Sequence, residues 1–122
     1  MKKRMFKIFS LLALFAFVFT LVSCKPDNGE EAKERLEEAG YNVEVFTGSA
    51  ADTMLMGVDG VNELVVAGKS GGESFVAILF DSKDAAKAAV SDVKTGVNGK
   101  FEVHQSGKWV YYGSQSGIDA FE

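Results

Sequence analysis

Phe75-Val76-Ala77-Ile78-Leu79-Phe80 is a run of six apolar residues bounded by Asp81 and, upstream, by a glycine-rich loop. Both faces of a strand built from it are apolar, so the run reads as the central strand of a sheet. Val61 to Ala67 is a second strand-like run, and Gly68-Lys69-Ser70-Gly71-Gly72 joins the two as a hairpin with a flexible loop. Downstream, Asp81 or Ser82 caps a helix in which Ala86, Ala89, Val90 and Val93 repeat at helical spacing, with Gly96 just past its end. Lys100 to Gln105 and Lys108 to Gly113 then flank Ser106-Gly107, a two-residue connection suited to a tight hairpin. Ser114 or Ser116 caps a short last helix holding Ile118 and Phe121.

Upstream of the central hairpin, Asp27 or Asn28 caps a helix with Glu30 and Glu31 in its first turn and Ala32, Leu36 and Ala39 on one face. Glu31 is spaced to pair with Arg35. Gly40 ends the helix, and a Schellman turn brings Tyr41 back onto Leu36. The strand Tyr41 to Phe46 follows, with Tyr41, Val43 and Val45 on one face. Thr47 to Gly60 is mixed: Ser49 and Asp52 form a capping box for a short helix through Met54, Leu55 and Met56, closed by Gly57. No repeat of fixed period is present. The order of elements implies an α+β fold: a single two-layer sandwich, with a mainly antiparallel sheet of about five strands and helices on one face.

The first residues have a different character. Lys2, Lys3, Arg4 and Lys7 precede an uncharged stretch from Ile8 to Val22, the layout of an export signal. Leu21-Val22-Ser23-Cys24 follows and resembles the lipobox of bacterial lipoproteins. That resemblance implies a signal peptide over 1–23 that is cut away. It also implies a diacylglycerol thioether on Cys24, a lipidated cysteine and short tether over 24–29, and a single extracytoplasmic domain over 30–122. By the same resemblance, Lys25 stands where an aspartate would retain a lipoprotein in the inner membrane of a two-membrane cell, so in such a cell the outer membrane is favoured. The rival reading is an uncleaved spanning helix, but Ile8 to Cys24 would extend roughly 25 Å against a hydrocarbon core of about 30 Å.

Composition sets further bounds. Thirteen Lys and Arg stand against seventeen Asp and Glu; four of the bases lie in the leader, so nine remain against seventeen and the mature formal charge is −8. Such a domain is a poor partner for nucleic acid and for anionic lipid headgroups. Cys24 is the sole cysteine, so the fold is held by its apolar core rather than by disulfides. Pro26, with Asp27, Asn28 and Gly29, makes the tether very short and places the domain close to the bilayer.

The last hairpin supplies the candidate contact surface. With Ser106 and Gly107 as the loop, His104 faces Trp109, Val103 faces Val110, Glu102 faces Tyr111 and Phe101 faces Tyr112. Phe101, Val103, Val110 and Tyr112 then meet the helices, while Glu102, His104, Trp109 and Tyr111 face solvent on the open side of the sheet. Amphipathic aromatics of that kind contribute heavily to binding. The alternative is that the rings shield the sheet or pack under a loop.

No catalytic, cofactor or metal constellation is legible. His104 is the sole histidine, whereas a zinc site needs three or four donors. Gly113-Ser114-Gln115-Ser116-Gly117 carries Gln115 where a nucleophile elbow needs serine. Gly68-Lys69-Ser70 imitates the end of a phosphate loop, but Glu63 holds the place of its first glycine. Asp59 to Glu63 has too few oxygen ligands for a calcium loop, and Met54 and Met56 read as core filler. The expectation is a membrane-anchored, extracytoplasmic, non-enzymatic module that binds an envelope protein, peptide or glycan. Two alternatives stand beside it: an accessory subunit of an envelope complex, and a small hydrolase using His104.

Overall fold

The structure is a computed structural model that describes residues 25–55 and 58–122. The leader and Cys24, on which the signal-peptide and lipidation readings fall, lie outside the described residues, as do Met56 and Gly57. None of the described helices is long and apolar enough to cross a membrane.

Among the described residues four helices and five strands follow one another in the order α1 (Gly29–Glu38), β1 (Asn42–Thr47), α2 (Gly48–Met54), β2 (Val61–Lys69), β3 (Glu73–Phe80), α3 (Lys83–Val97), β4 (His104–Ser106), β5 (Trp109–Gly113) and α4 (Gln115–Phe121). The strands form one antiparallel sheet ordered β1-β2-β3-β5-β4. The apolar run that suggested a central strand is β3, the middle member of the five.

Local chemistry accounts for most boundaries. Asn28 accepts from the Glu31 amide at 2.9 Å and caps α1, and Arg35 lies 3.4 Å from Glu31. At the other end the Tyr41 amide donates to the Leu36 carbonyl at 3.0 Å and that of Gly40 to Glu37 at 3.0 Å, the two bonds of a Schellman turn. Ser82 caps α3 by accepting from the Ala85 amide at 3.1 Å. That helix runs past Gly96 and stops at Asn98, which takes the left-handed conformation expected of a capping residue (φ 56°). The mixed segment does form a helix, α2, but it begins before Ser49 with Thr47 at the N-cap and no side-chain cap bond, so the Ser49–Asp52 capping box is not made, and it ends at Met54 rather than running on through Leu55.

The α+β class and the five-stranded antiparallel sheet are those the sequence implies. The helices, however, occupy both faces of the sheet rather than one. On the first face Ala32 and Leu36 of α1 and Ile118 and Phe121 of α4 pack on Val43, Val65, Ala67, Phe75, Ala77, Leu79, Trp109 and Tyr111. On the second, Ala51 of α2 and Ala86, Ala89 and Val93 of α3 pack on Val61, Leu64, Ile78, Phe80 and Val110. The cause is visible in β3 and β5: neither Phe75 to Phe80 nor Trp109 to Tyr112 alternates with polar residues, so neither face of the sheet's centre can be left to water.

Gly117 lets α4 approach β3 closely. A Cβ there would lie 2.7 Å from Phe75 Cβ and 3.0 Å from its ring, closer than side-chain carbons come. The Arg35 guanidinium then fastens the end of α4 by donating to the Phe121 carbonyl at 2.7 Å.

Candidate functional site

The last hairpin turns through Gly107 and Lys108, not Ser106 and Gly107. His104 faces Tyr111, Gln105 faces Val110 and Ser106 faces Trp109. Gly107 has φ +58° and Lys108 has no positive φ, so glycine at the first loop position supplies what a type II′ turn requires. The pairing differs from the sequence expectation, but His104 still shares a face with Trp109 and Tyr111, because the turn moved by a single residue along both arms; Phe101, Glu102 and Val103 precede the paired strand.

The fate of those faces is the main correction. Trp109 and Tyr111 are interior, 3 % and 2 % exposed, beneath α1, α4 and the chain that leads into α1. The Phe121 ring lies edge-on to Trp109 at 5.0 Å and against Tyr111 at 4.7 Å. Each polar tip has a partner: Trp109 Nε1 donates to the Pro26 carbonyl at 2.7 Å, and the Tyr111 hydroxyl donates to Glu122 at 2.6 Å. Burial, that hydrogen bond and the Glu122 charge together hold the Tyr111 phenol neutral well above its ordinary range. Of the four expected surface residues, only Glu102 is exposed. His104 is half-buried with its ring stacked 5.4 Å from Tyr111. Trp109 and Tyr111 are therefore core side chains, not contact residues.

The opposite face carries the exposed apolar ground. Glu44, Val66, Val76 and Tyr112 pair in succession from β1 through β2 and β3 to β5, forming one row of side chains across four strands. The neighbouring row, Leu64, Ile78 and Val110, is fully covered by α2 and α3. Val66, Val76 and Tyr112 are only half-buried, because α2 is seven residues long and stops at Met54. The row spans about 14 Å from β1 to β5 at the usual strand spacing.

Met54 stands at one side of this strip, 55 % exposed, and Phe101 at the other, 37 % exposed, with its ring 5.7 Å from Tyr112. Burial raises the Tyr112 phenol above its ordinary pKa, so the hydroxyl stays a neutral donor. Between α2 and α3 the strip deepens into a depression of about 410 Å³ floored by Ile78 and Tyr112 and walled by Met54, Leu55, Val93 and Val97. Asp92 borders this depression and Glu44 ends the row on β1. Neither this depression nor the one at the β1 end of the row has a Lys or Arg among its lining residues. Comparison with protein-family models, curated proteins and solved structures finds no match.

A polar cluster that the sequence did not single out lies at the β2–β3 turn. The Tyr41 hydroxyl is 2.8 Å from Ser114 Oγ and 2.6 Å from Ser116 Oγ, and Ser116 Oγ donates to the Glu73 carboxylate. Lys69 Nζ sits 4.7 Å from the centre of the Tyr41 ring and donates to the Ala39 carbonyl at 3.1 Å. The Ser116 hydrogen bond, aided by Lys69 and Tyr41, holds the Glu73 carboxyl below its ordinary range. The cluster ties the β2–β3 turn to the starts of β1 and α4. The only advance signal was the Gly-Ser-Gln-Ser-Gly stretch, which read as a failed nucleophile elbow.

His104 has no serine hydroxyl hydrogen-bonded to it among the described residues, and no group of three or more His, Cys, Asp or Glu there is placed to hold a metal ion.

Proposed function

We propose that the chain is a lipid-anchored extracytoplasmic module that binds a segment of another envelope protein along the strip Val66, Val76 and Tyr112. The observation that carries the binding reading is the incomplete cover of one sheet face, where two exposed apolar side chains, Met54 and Phe101, bracket a half-buried tyrosine. A ring of that kind with neutral neighbours has the make-up of an interface centre, where aromatic side chains dominate the energy. The carboxylates of Glu44 and Asp92 favour a segment whose apolar side chains are flanked by lysine or arginine, and they disfavour a second copy of this acidic chain. The lipid anchor rests on the leader and on Leu21-Val22-Ser23-Cys24. The accessory-subunit reading uses the same strip; a hydrolase centred on His104 finds no serine hydroxyl hydrogen-bonded to that ring among the described residues.

The test is a photoreactive phenylalanine analogue at Tyr112, with a matched probe at Glu102 as control. The binding reading expects cross-links from position 112 to one protein segment, rich in apolar and basic residues, and their loss in Val76→Lys protein that still folds. Equal cross-linking from both positions, or a cross-link that survives Val76→Lys, contradicts it.

A further inference from the structure

The chain immediately after Cys24 is part of the fold. Pro26 is buried, and its carbonyl accepts the Trp109 indole N–H. One residue on, the Asp27 amide donates to Glu31 at 2.9 Å, and Asn28 caps α1. Lys25, Pro26 and Asp27 share a shallow depression with Leu79, Gly107, Lys108 and Trp109, at the end of the sheet where β4 turns into β5.

We propose that this end of the domain rests on the lipid headgroups, so that the strands stand away from the bilayer and the Ser70–Gly72 turn points outward. The inference rests on the lipid reading of Cys24. Two residue steps separate Cys24 from Pro26, at most about 7 Å of extended chain. The polar zone of one leaflet is of similar depth, roughly 5–7 Å. A lipid on Cys24 therefore leaves no slack between the acyl chains and the seat of Pro26, and the surface around that seat meets headgroups. Lys25 and Lys108 lie there with the single carboxylate of Asp27, so the charge of this patch is opposite in sign to that of the strongly acidic domain.

The rest of the fold is then fixed in height. Leu79 faces Trp109 near the membrane, while Glu73 lies six residues further along β3, about 20 Å away. Tyr112 is three residues from Trp109, so the apolar strip stands about 10 Å beyond the seat, clear of the headgroups and open to a partner in solution.

Cys24 is the sole cysteine and its thiol is consumed by the lipid, so a cysteine introduced elsewhere is a unique label. Full-length Lys108→Cys and Ser70→Cys proteins, expressed, matured and extracted from membranes, would carry an environment-sensitive fluorophore in phosphatidylcholine–phosphatidylglycerol vesicles containing a headgroup quencher. The proposal expects quenching several-fold stronger at position 108 than at 70, and near-equal values once a flexible Gly-Ser linker separates Cys24 from Lys25. Intact mass of the same samples separates the two claims. Acylated protein with equal quenching at both positions overturns the orientation and leaves the anchor, whereas unacylated Cys24 overturns both.

Discussion

Replacing Trp109 by phenylalanine separates packing from the hydrogen bond that seats the chain after Cys24. Removing a whole buried Trp or Phe side chain costs about 3–5 kcal/mol, so trimming indole to phenyl in this tightly surrounded site costs roughly 1–2 kcal/mol. The substitution also leaves the Pro26 carbonyl without its buried donor at 2.7 Å, which adds about 1–2 kcal/mol. The sum, about 2–4 kcal/mol, is a large share of the stability of a domain this size. A double-mutant cycle measures how strongly Trp109 is coupled to Pro26. In a chain beginning at Asp27 the carbonyl and the buried Pro26 side chain are both absent, so Trp109→Phe there should cost only the packing against the rest of the core. Urea unfolding of the four proteins, read from midpoints at constant m value, should give a coupling of about 1–2 kcal/mol. A coupling below about 0.3 kcal/mol would mean that Pro26 is not held by Trp109, and the argument for a slack-free tether would fail.

Two further outcomes follow from the core. Gly117→Ala gains up to about 1 kcal/mol of helix propensity but drives a methyl against fully buried Phe75, which costs about 1–3 kcal/mol, so thermal unfolding should show a net loss. Stability unchanged or raised would show that α4 is not pressed onto β3 as described. The raised pKa of Tyr111 stabilises the fold fully below about pH 10, where the unfolded phenol is still protonated, and this contribution is lost as pH rises above that. Tyr111→Phe should flatten the alkaline limb of the stability curve, leaving the smaller slope due to Tyr112; an unaltered limb would place the Tyr111 hydroxyl in water.

The sequence was most informative where local chemistry acts alone. The Asn28 and Ser82 caps, the Schellman turn at Tyr41 and the central place of β3 all depend on neighbouring residues or on a continuous apolar run. Misreading of the sheet came from weighing hairpins above composition. Trp109-Val110-Tyr111-Tyr112 is apolar on both faces, as is β3, and that pattern already requires cover on both sides of the sheet. Which face lies deeper is a long-range matter. It depends on α4 folding back onto Phe75 through Gly117, and on Pro26 reaching Trp109 across 83 residues. Neither contact leaves a periodic trace. The exposed strip was hidden for a related reason, since Tyr112 and Val76 look like core residues until the shortness of α2 is known.

The measurement that bears most directly on the account is the intact mass of the protein extracted from its native membrane. The account predicts a chain cleaved before Cys24 and increased by a diacylglycerol thioether. A chain that keeps residues 1–23, or one that begins at Cys24 with a free thiol, would contradict it.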